Sequence, residues 1–579
     1  MKIKNDVYKT DSYDNLRDMI NKTTEKFSDK TAFIVKTKNE NKISYRDVTF
    51  KEYKEDVNAL GTALISLGLK NARVVVISPN RYEWCVTYMA VVNGVGVIVP
   101  LDRSLPGNEM QGMLERSQAD AIIFDKKYKE TIRELKNNCE TINIKNYICM
   151  DDEEDGEFLS YSKLLEKGRE MVKEKSKDAE TYLNAEIDID KMSILLFTSG
   201  TTSLSKAVML THRNLIEQIP ALRAILDAWP GDVSLSFLPL HHTFGSLGVW
   251  YIYVSGATTV FCDGLKHIQD NLKEYGVTVL VTVPLLIENM YKKIMKTLEK
   301  EGKIETVNKG RKIANGLEKI HINVRRKLFK DIIDALGGKL RIFVVGAAAL
   351  DKEISKAFNE FGILVCQGYG LTETSPVVAA EPDKYIKYGS VGFPLRNLQV
   401  EIDEPNEEGI GEIKVKGPSV MLGYYGMPKE TANVLKNGWF YTGDLGYFDK
   451  QGYLYITGRK KDVIVLKNGK NIYPDEIESL INKLEYVSET LVFGYPKEDD
   501  LIVTAKIVYN KEYIEENYKD MTKEELQNMI WTDIKQINST VAGYQHVKKI
   551  IITDEPLIKT TTAKVKRFLE IEKTIKESH

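Results

Sequence analysis

Cysteine is scarce. Five residues, Cys85, Cys139, Cys149, Cys262 and Cys366, are scattered over 579 positions with no C-x-x-C and no paired spacing. That pattern excludes a disulfide framework and implies a reducing, cytoplasmic setting. An excess of charge is also missing: 81 Lys+Arg stand against 83 Asp+Glu, a net charge of −2. A dedicated nucleic-acid binder carries a strongly basic balance, so nucleic acid is excluded as a partner, and acidic-tail and disordered classes fall as well. The first residues, MKIKNDVYKTDSYDNL, contain no apolar core, so a secretory signal is not expected. Long apolar runs are absent too. Residues 84–101 and 233–262 carry no charge, but glycines, prolines and the pair His241–His242 interrupt them. A spanning helix needs about 20 continuous apolar residues, so neither stretch qualifies. Peripheral membrane contact stays open.

What is present is an ordinary globular composition, 43% hydrophobic and 28% charged. Short β-branched runs, such as 72–80, 95–101, 120–125, 277–284, 341–350 and 362–370, alternate with helical patterns such as 53–69. This alternation predicts an α/β fold with parallel-rich sheets flanked by helices. Near residue 388 the strands become short and hairpin-punctuated, with Gly409, Gly411, Asp449 and Gly452 at expected turns. The pattern predicts a large N-terminal domain over 1–459, its residues 388–457 forming a β-rich subdomain. A small α+β domain is expected over 460–579, with an Asn468–Gly469 hairpin and a helix opened by Pro474. The charged segment from Glu154 to Glu180 lacks strong apolar periodicity and reads as a surface excursion.

Four motifs carry chemistry. The first is SILLFTSGTTSLSKAVMLTHRNL, residues 193–215. An apolar strand runs into six consecutive Gly/Ser/Thr residues, Thr198 to Ser203, with Lys206 beyond and a helix capped by Thr211. Hydroxyls, backbone N–H groups and one lysine can wrap a polyphosphate; a polar surface loop suits the same residues. It is not a Walker A loop, because Ser205-Lys206-Ala207 replaces Gly-Lys-Ser/Thr. The second is QGYGLTETSP, residues 367–376. Gly368 and Gly370 flank Tyr369, whose ring offers a flat face for a base, and Thr372 and Glu373 are hard oxygen donors suited to Mg²⁺ on a nucleotide phosphate. The third, YTGDLGY, places Asp444 in a turn, where a carboxylate can accept hydrogen bonds from ribose hydroxyls or serve as an ordinary hairpin aspartate. The fourth, GRKKD, places Arg459 at the domain junction.

In this order and with these gaps, the four motifs resemble the adenylate-forming superfamily: acyl-CoA synthetases, firefly luciferases and peptide-synthetase adenylation domains. The resemblance runs from Tyr45 to Arg567. VVGAAAL (344–350) is similar to the family's adenine-side loop, with Gly346, Ala347 and Ala348 at the nucleotide, and KTTTAKVKR (559–567) to the segment that carries its catalytic lysine, here Lys564. The resemblance implies that Thr198, Ser199, Gly200, Thr201, Thr202 and Lys206 hold the β- and γ-phosphates of ATP. It further implies that Gly368, Tyr369 and Gly370 line the nucleotide and Thr372 touches the α-phosphate. Asp444 and Arg459 would hold the ribose, with Ile456 on the strand between them, and Glu373 with Thr198 the Mg²⁺. Lys564, Thr372, Glu373 and Lys206 would form the catalytic set. The chain departs from the family pattern at Ser203, Ser205, Ala207, Ala347 and Ala563, each a small residue where the family usually has glycine or proline. Glycine is lost there where a positive φ is expected.

The implied reaction has two steps: a carboxylate attacks the α-phosphate of Mg·ATP to give acyl-AMP and pyrophosphate, and a thiol then takes the acyl group and releases AMP. LPLHHTFG (238–245) resembles the carboxylate mouth, with His242 as its histidine; a polar pair at a strand end is the plain alternative. The stretch 283–303 and the charged helical insertion that follows it to Leu336 look most like long-chain fatty acyl-CoA synthetases, as does KNGKNIYPDEIE (467–478). The expected substrates are therefore ATP, a medium- or long-chain fatty acid and CoA, with a carrier-protein thiol in trans as the alternative acceptor. A non-catalytic nucleotide-binding protein is the alternative of another class. Lys461 is the expected hinge between the two half-reactions.

Overall fold

The computed structural model describes residues 6–39, 42–139, 141–142, 144–151, 156–198, 205–467, 470–497, 500–519, 521–559 and 565–577. Two large mixed sheets dominate. The first has nine strands; its centre runs Leu364–Gly370, Ile342–Val345, Val279–Thr282, Val233–Ser236, Thr258–Phe261 and Thr31–Asn39, all parallel. The second has eight, with Gly96–Pro100 and Ala121–Phe124 on either side of Ala72–Ile77 and the antiparallel hairpin Met192–Thr198 and Lys206–Thr211 towards one edge. Both faces of these strands are covered, which is why they read as unbroken apolar runs: every residue of Ala121–Phe124 is buried.

Helices fill the space between. Phe50–Ser66, Tyr82–Ala90, His212–Arg223 and Thr243–Val254 contribute to one core shared with strands of both sheets. Thr243–Val254 carries no charged residue and buries most of its length, a helix enclosed on all sides. The charge-free stretch 84–101 resolves as expected into a helix end and a strand, and 233–262 into strand, loop, helix and strand. Among the described residues no helix is long and apolar enough to cross a membrane.

One expectation fails. The segment after Glu154 is no surface excursion: helices Tyr161–Lys173 and Lys177–Leu183 pack on Phe50–Ser66. Tyr161, Leu164 and Tyr182 are buried, and Arg169 pairs with the buried Asp56 at 2.6 Å. Only one narrow stripe of each helix is apolar, so charge on the remaining surface masks the period.

A five-stranded sheet follows, built from Gln399–Asp403, Gly411–Lys416, Leu435–Lys436, Trp439–Phe448 and Leu454–Arg459. Three of the four expected turn residues serve as such: Gly409 and Gly452 adopt φ +79° and +87°, and the Asp449 carboxylate accepts from the N–H groups of Gln451 and Tyr453, whereas Gly411 opens the strand Gly411–Lys416, where a β-carbon would stand 2.3 Å from the Asp403 carbonyl oxygen. Beyond it, Val487–Lys497, Asp500–Tyr509 and Lys549–Thr553 form a three-stranded sheet. Helices Pro474–Ile481 and Lys523–Asn538 pack on one face, and Arg567–Glu577 on the other. Pro474 opens its helix as expected; the Asn468–Gly469 hairpin lies outside the described residues.

Candidate active site

The strand ends of both large sheets converge on one mouth. From the second sheet comes Lys206, the first residue of its strand, whose ammonium lies 4.6 Å from the centre of the Tyr424 ring. Tyr424 sits on Gly423–Tyr424, which pairs with Lys206–Thr211 at the sheet edge. Its hydroxyl donates to Glu373 Oε1 at 2.8 Å. Burial and the Glu373 carboxylate hold that phenol well above its ordinary pKa, so it remains a donor. Glu373 itself lies in a 3₁₀ turn, Thr372–Thr374, immediately after the strand Leu364–Gly370, and its carbonyl accepts from the Met421 N–H. Lys206, Tyr424 and Glu373 thus form one chain of contacts linking the two sheets. Thr198 is its neighbour; its hydroxyl donates to the Lys206 carbonyl at 3.2 Å.

A second cluster abuts the first. Tyr369, on the same strand end, donates to Asp444 Oδ2 at 2.7 Å, while Arg459 Nε lies 2.9 Å from Asp444 Oδ1. Asp444 is almost wholly buried and Arg459 half exposed, so the pair presents one charged edge to the mouth. Burial and the adjacent carboxylate raise the Tyr369 phenol well above its usual range. Asp444 does not occupy a turn. It lies within the strand Trp439–Phe448, in register with Arg459 on Leu454–Arg459. On the same strand Gly443 adopts φ +71° and Gly446 allows a close approach, since a β-carbon there would stand 2.3 Å from the Tyr455 carbonyl oxygen. Ile456, opposite Gly446, is partly buried against the main core.

Gly346, Ala347 and Ala348 follow the strand Ile342–Val345. A β-carbon at Gly346 would come within 3.1 Å of the Phe244 ring. Ala347 adopts φ +73°, the left-handed region where glycine is the unstrained choice, so the departure from glycine noted in the sequence has a real backbone cost. Gly370 has no room for a side chain, because a β-carbon there would stand 1.9 Å from the Pro376 carbonyl oxygen; at Gly368 the corresponding distance to the Ala379 oxygen is 3.3 Å.

His242 is the N-cap residue of the helix Thr243–Val254. Its ring stands 4.1 Å from that of His241, whose Nε2 lies 3.6 Å from Asp102. Burial first, then the neighbouring His242, push the His241 imidazole down to about 3, so it is neutral at physiological pH. Beside the first turns of that helix a small cavity of about 20 Å³ is lined by Leu235, Phe237, Gly245, Gly248 and Val281 together with the polar Ser234 and Ser236. No cluster of three or more His, Cys, Asp or Glu side chains able to hold a metal occurs among the described residues. Lys461 lies in the one-turn 3₁₀ segment Lys460–Asp462 directly after Arg459. Ser199, Gly200, Thr201, Thr202, Ser203, Ala563 and Lys564 lie outside the described residues.

The sequence reading missed Tyr424 and Phe244. Neither carried a signal: Tyr424 is one of two tyrosines in an unremarkable MLGYYG, and its role depends on an edge pairing formed across more than 200 residues.

Residues 20–425 match the family model described as AMP-binding enzyme, and residues 461–574 match that of the AMP-binding enzyme C-terminal domain. The chain belongs to the AMP-binding enzyme family. Among relatives of this AMP-binding enzyme is a chloroplastic long-chain-fatty-acid–[acyl-carrier-protein] ligase of Arabidopsis thaliana, 26% identical over 96% of this chain and 85% of the relative. A long-chain-fatty-acid–CoA ligase of Mycobacterium bovis is 28% identical, with 91% of each chain covered. The fold of this chain is similar to that of ATP-bound MatB from Rhodopseudomonas palustris, with TM-score 0.73, 23% identity and coverage of 98% and 100%. The anthranilate CoA ligase AuaEII in complex with anthranoyl-AMP has TM-score 0.74 at 19% identity, each chain 98% covered.

Proposed function

We propose that this enzyme activates a medium- or long-chain fatty acid with ATP to acyl-AMP, releasing pyrophosphate, and transfers the acyl group to CoA, releasing AMP. One observation carries the reading. The Lys206–Tyr424–Glu373 chain and the Tyr369–Asp444–Arg459 cluster share a single strand end and face one mouth. That arrangement suits a polyphosphate and a ribose side by side.

In this reading the domains divide at residues 459 and 460. Asp444 accepts hydrogen bonds from the ribose hydroxyls, its position fixed by Tyr369 and Arg459. Lys206, with the loop Ser199–Thr202, holds the departing phosphates. Glu373 and Thr198 provide hard oxygens for Mg²⁺, and Glu373 keeps Oε2 for it because Tyr424 engages Oε1. When bound, that ion offsets the negative charge of the phosphates. Lys564 is delivered by the small domain to the α-phosphate, where charge gathers as the carboxylate attacks. Thr372 contacts the same phosphate, and His242 stands at the acyl carboxylate.

The Arabidopsis relative supports a second acceptor, a carrier-protein thiol. AMP release from ATP and fatty acid, measured with CoA or with a holo-carrier protein, separates the two. Lys564→Ala tests the chemistry, with pyrophosphate exchange expected to fall by about 10²-fold or more while supplied acyl-AMP is still consumed with CoA. Exchange at the wild-type rate would overturn the reading.

A further inference from the structure

The helical insertion between the strands Val279–Thr282 and Ile342–Val345 is unlike the rest of the surface. Between residues 309 and 330 the sequence carries eight Lys or Arg against one acidic residue, Glu318, in a chain whose overall balance is near zero. Arg311 and Arg325 are engaged inward: Arg311 Nε lies 2.5 Å from Glu360 Oε2 and Arg325 Nη2 2.9 Å from the Asn315 side chain. Lys312, Lys319 and Lys327 are exposed and form no ion pair among the described residues.

Large apolar side chains stand among these charges. Ile313, Ile320, Ile322 and Leu328 are 57%, 63%, 47% and 46% exposed. Helical geometry groups them. On the helix Ile304–Glu318, Lys309, Lys312, Ile313 and Gly316 fall at i, i+3, i+4 and i+7, one outward stripe, whereas Ile304, Val307 and Ala314 turn into the core beneath. Ile320 and Ile322 continue past its C-terminus. The short helix Arg325–Leu328 folds back alongside, so that Leu328 Cδ2 comes within 3.2 Å of where a β-carbon would stand at Gly310, one turn from Ile313. Burying such side chains is favourable and leaving three isoleucines and a leucine in water among lysines is not, so the patch calls for a covering surface.

We propose that this insertion docks the enzyme on an anionic phospholipid surface, the isoleucines entering the headgroup–acyl boundary and the lysines pairing with lipid phosphates. Lysines flanking exposed apolar side chains are the pattern of interfacial binding. The charge balance selects an anionic partner. Position favours lipid over protein: the core cluster beneath the insertion, which holds Leu298, Ala314 and Phe329, also contains Leu235 and Phe237, which line the small cavity beside the helix Thr243–Val254. The patch thus lies over the apolar body that reaches that cavity.

The test is co-sedimentation of the full chain with phosphatidylcholine vesicles, with and without 30% phosphatidylglycerol (about one-third anionic lipid), in the absence of substrate. Binding is expected only with phosphatidylglycerol and is expected to fall at high salt. Each lysine at an anionic surface contributes about five-fold, so Lys312→Gln with Lys319→Gln and Lys327→Gln should weaken binding about 100-fold. Ile320→Ser with Ile322→Ser should weaken it while keeping the dependence on anionic lipid. Circular dichroism and the urea midpoint of both variants should match wild type, which shows that they are folded. Binding indifferent to phosphatidylglycerol, equal binding by the lysine variant, or no vesicle binding at all would overturn the proposal. Saturable capture of an acidic carrier protein by the same lysines without vesicle binding would assign the patch to a protein instead. Because no turnover is involved, failure here leaves the proposed reaction untouched, and failure of the reaction leaves the docking test intact.

Discussion

Single residues in this enzyme work through a partner that fixes their charge or direction. The Tyr424 hydroxyl orients Glu373, and a hydrogen bond to a charged group is worth about 1.5–3 kcal/mol. Tyr424→Phe keeps the ring under Lys206 and removes only that bond. The expected result is a KM for Mg·ATP raised about ten-fold, with the KM for the acid unchanged. Equal KM values for ATP in the two proteins would show that Tyr424 does not position Glu373. His212 illustrates the same dependence through its protons. Its Nδ1 accepts from the Leu16 N–H at 3.1 Å and its Nε2 faces the Val92 carbonyl at 3.0 Å, an arrangement that requires the neutral ring. Burial pushes it down to about 4 from 6.5. As pH falls below 6.5 the unfolded chain takes up a proton that the native ring refuses, so stability present above 6.5 is lost towards pH 4. Between pH 7.5 and 5 that loss is about 2 kcal/mol. His212→Gln can reproduce both hydrogen bonds without titrating, and urea unfolding at the two pH values should lose correspondingly less stability. An equal loss in both proteins would refute the assignment.

Elements show where sequence suffices and where it stops. Buried parallel strands such as Ala121–Phe124 declare themselves because both faces are apolar, and the caps at Thr211 and Pro474 are set by local hydrogen bonding and a fixed φ. The helices Tyr161–Lys173 and Lys177–Leu183 do not, because what holds them is close approach rather than apolar area. A β-carbon at Gly168 would stand 2.0 Å from the Ala59 carbonyl oxygen, so that glycine sets the distance between Tyr161–Lys173 and Phe50–Ser66. Gly168→Ala should therefore destabilise by about 1–3 kcal/mol through overpacking. Gly112, in the helix Gly107–Ser117, faces open space. Gly112→Ala should stabilise by about 0.5–1 kcal/mol. Denaturant midpoints moving in the same direction for both would refute the close-packing argument. The site was legible in the same uneven way. Asp444, Arg459 and Glu373 stood out by motif, whereas Asp444's place inside a strand and the contribution of Tyr424 follow from strand pairing that no local pattern encodes.

Across the whole molecule, each ion pair that bridges position 460 among the described residues has at least one exposed partner. Lys460 lies 2.8 Å from Glu412, Lys483 3.0 Å from Asp351 and Lys296 4.0 Å from Glu516. Exposed pairs of this kind contribute at most about 1 kcal/mol each, so their exchange for other partners costs little. Arg567, by contrast, stays within the small domain: its guanidinium lies 2.8 Å from Glu478 and 3.7 Å from Asp462. The small domain can therefore turn as a body, carrying the residues around 564 with it, provided that the chain between Arg459 and Asp462 can change its backbone angles. We propose Lys461 as that pivot. A proline there fixes φ near −65° and removes a donor, which leaves either orientation reachable but hinders passage between them. Lys461→Pro should slow conversion of supplied acyl-AMP to acyl-CoA by about ten-fold or more and change pyrophosphate exchange far less. Circular dichroism matching the wild type would establish that the variant is folded. Equal slowing of both half-reactions in that folded variant would remove Lys461 as the pivot and leave the two steps served by one orientation.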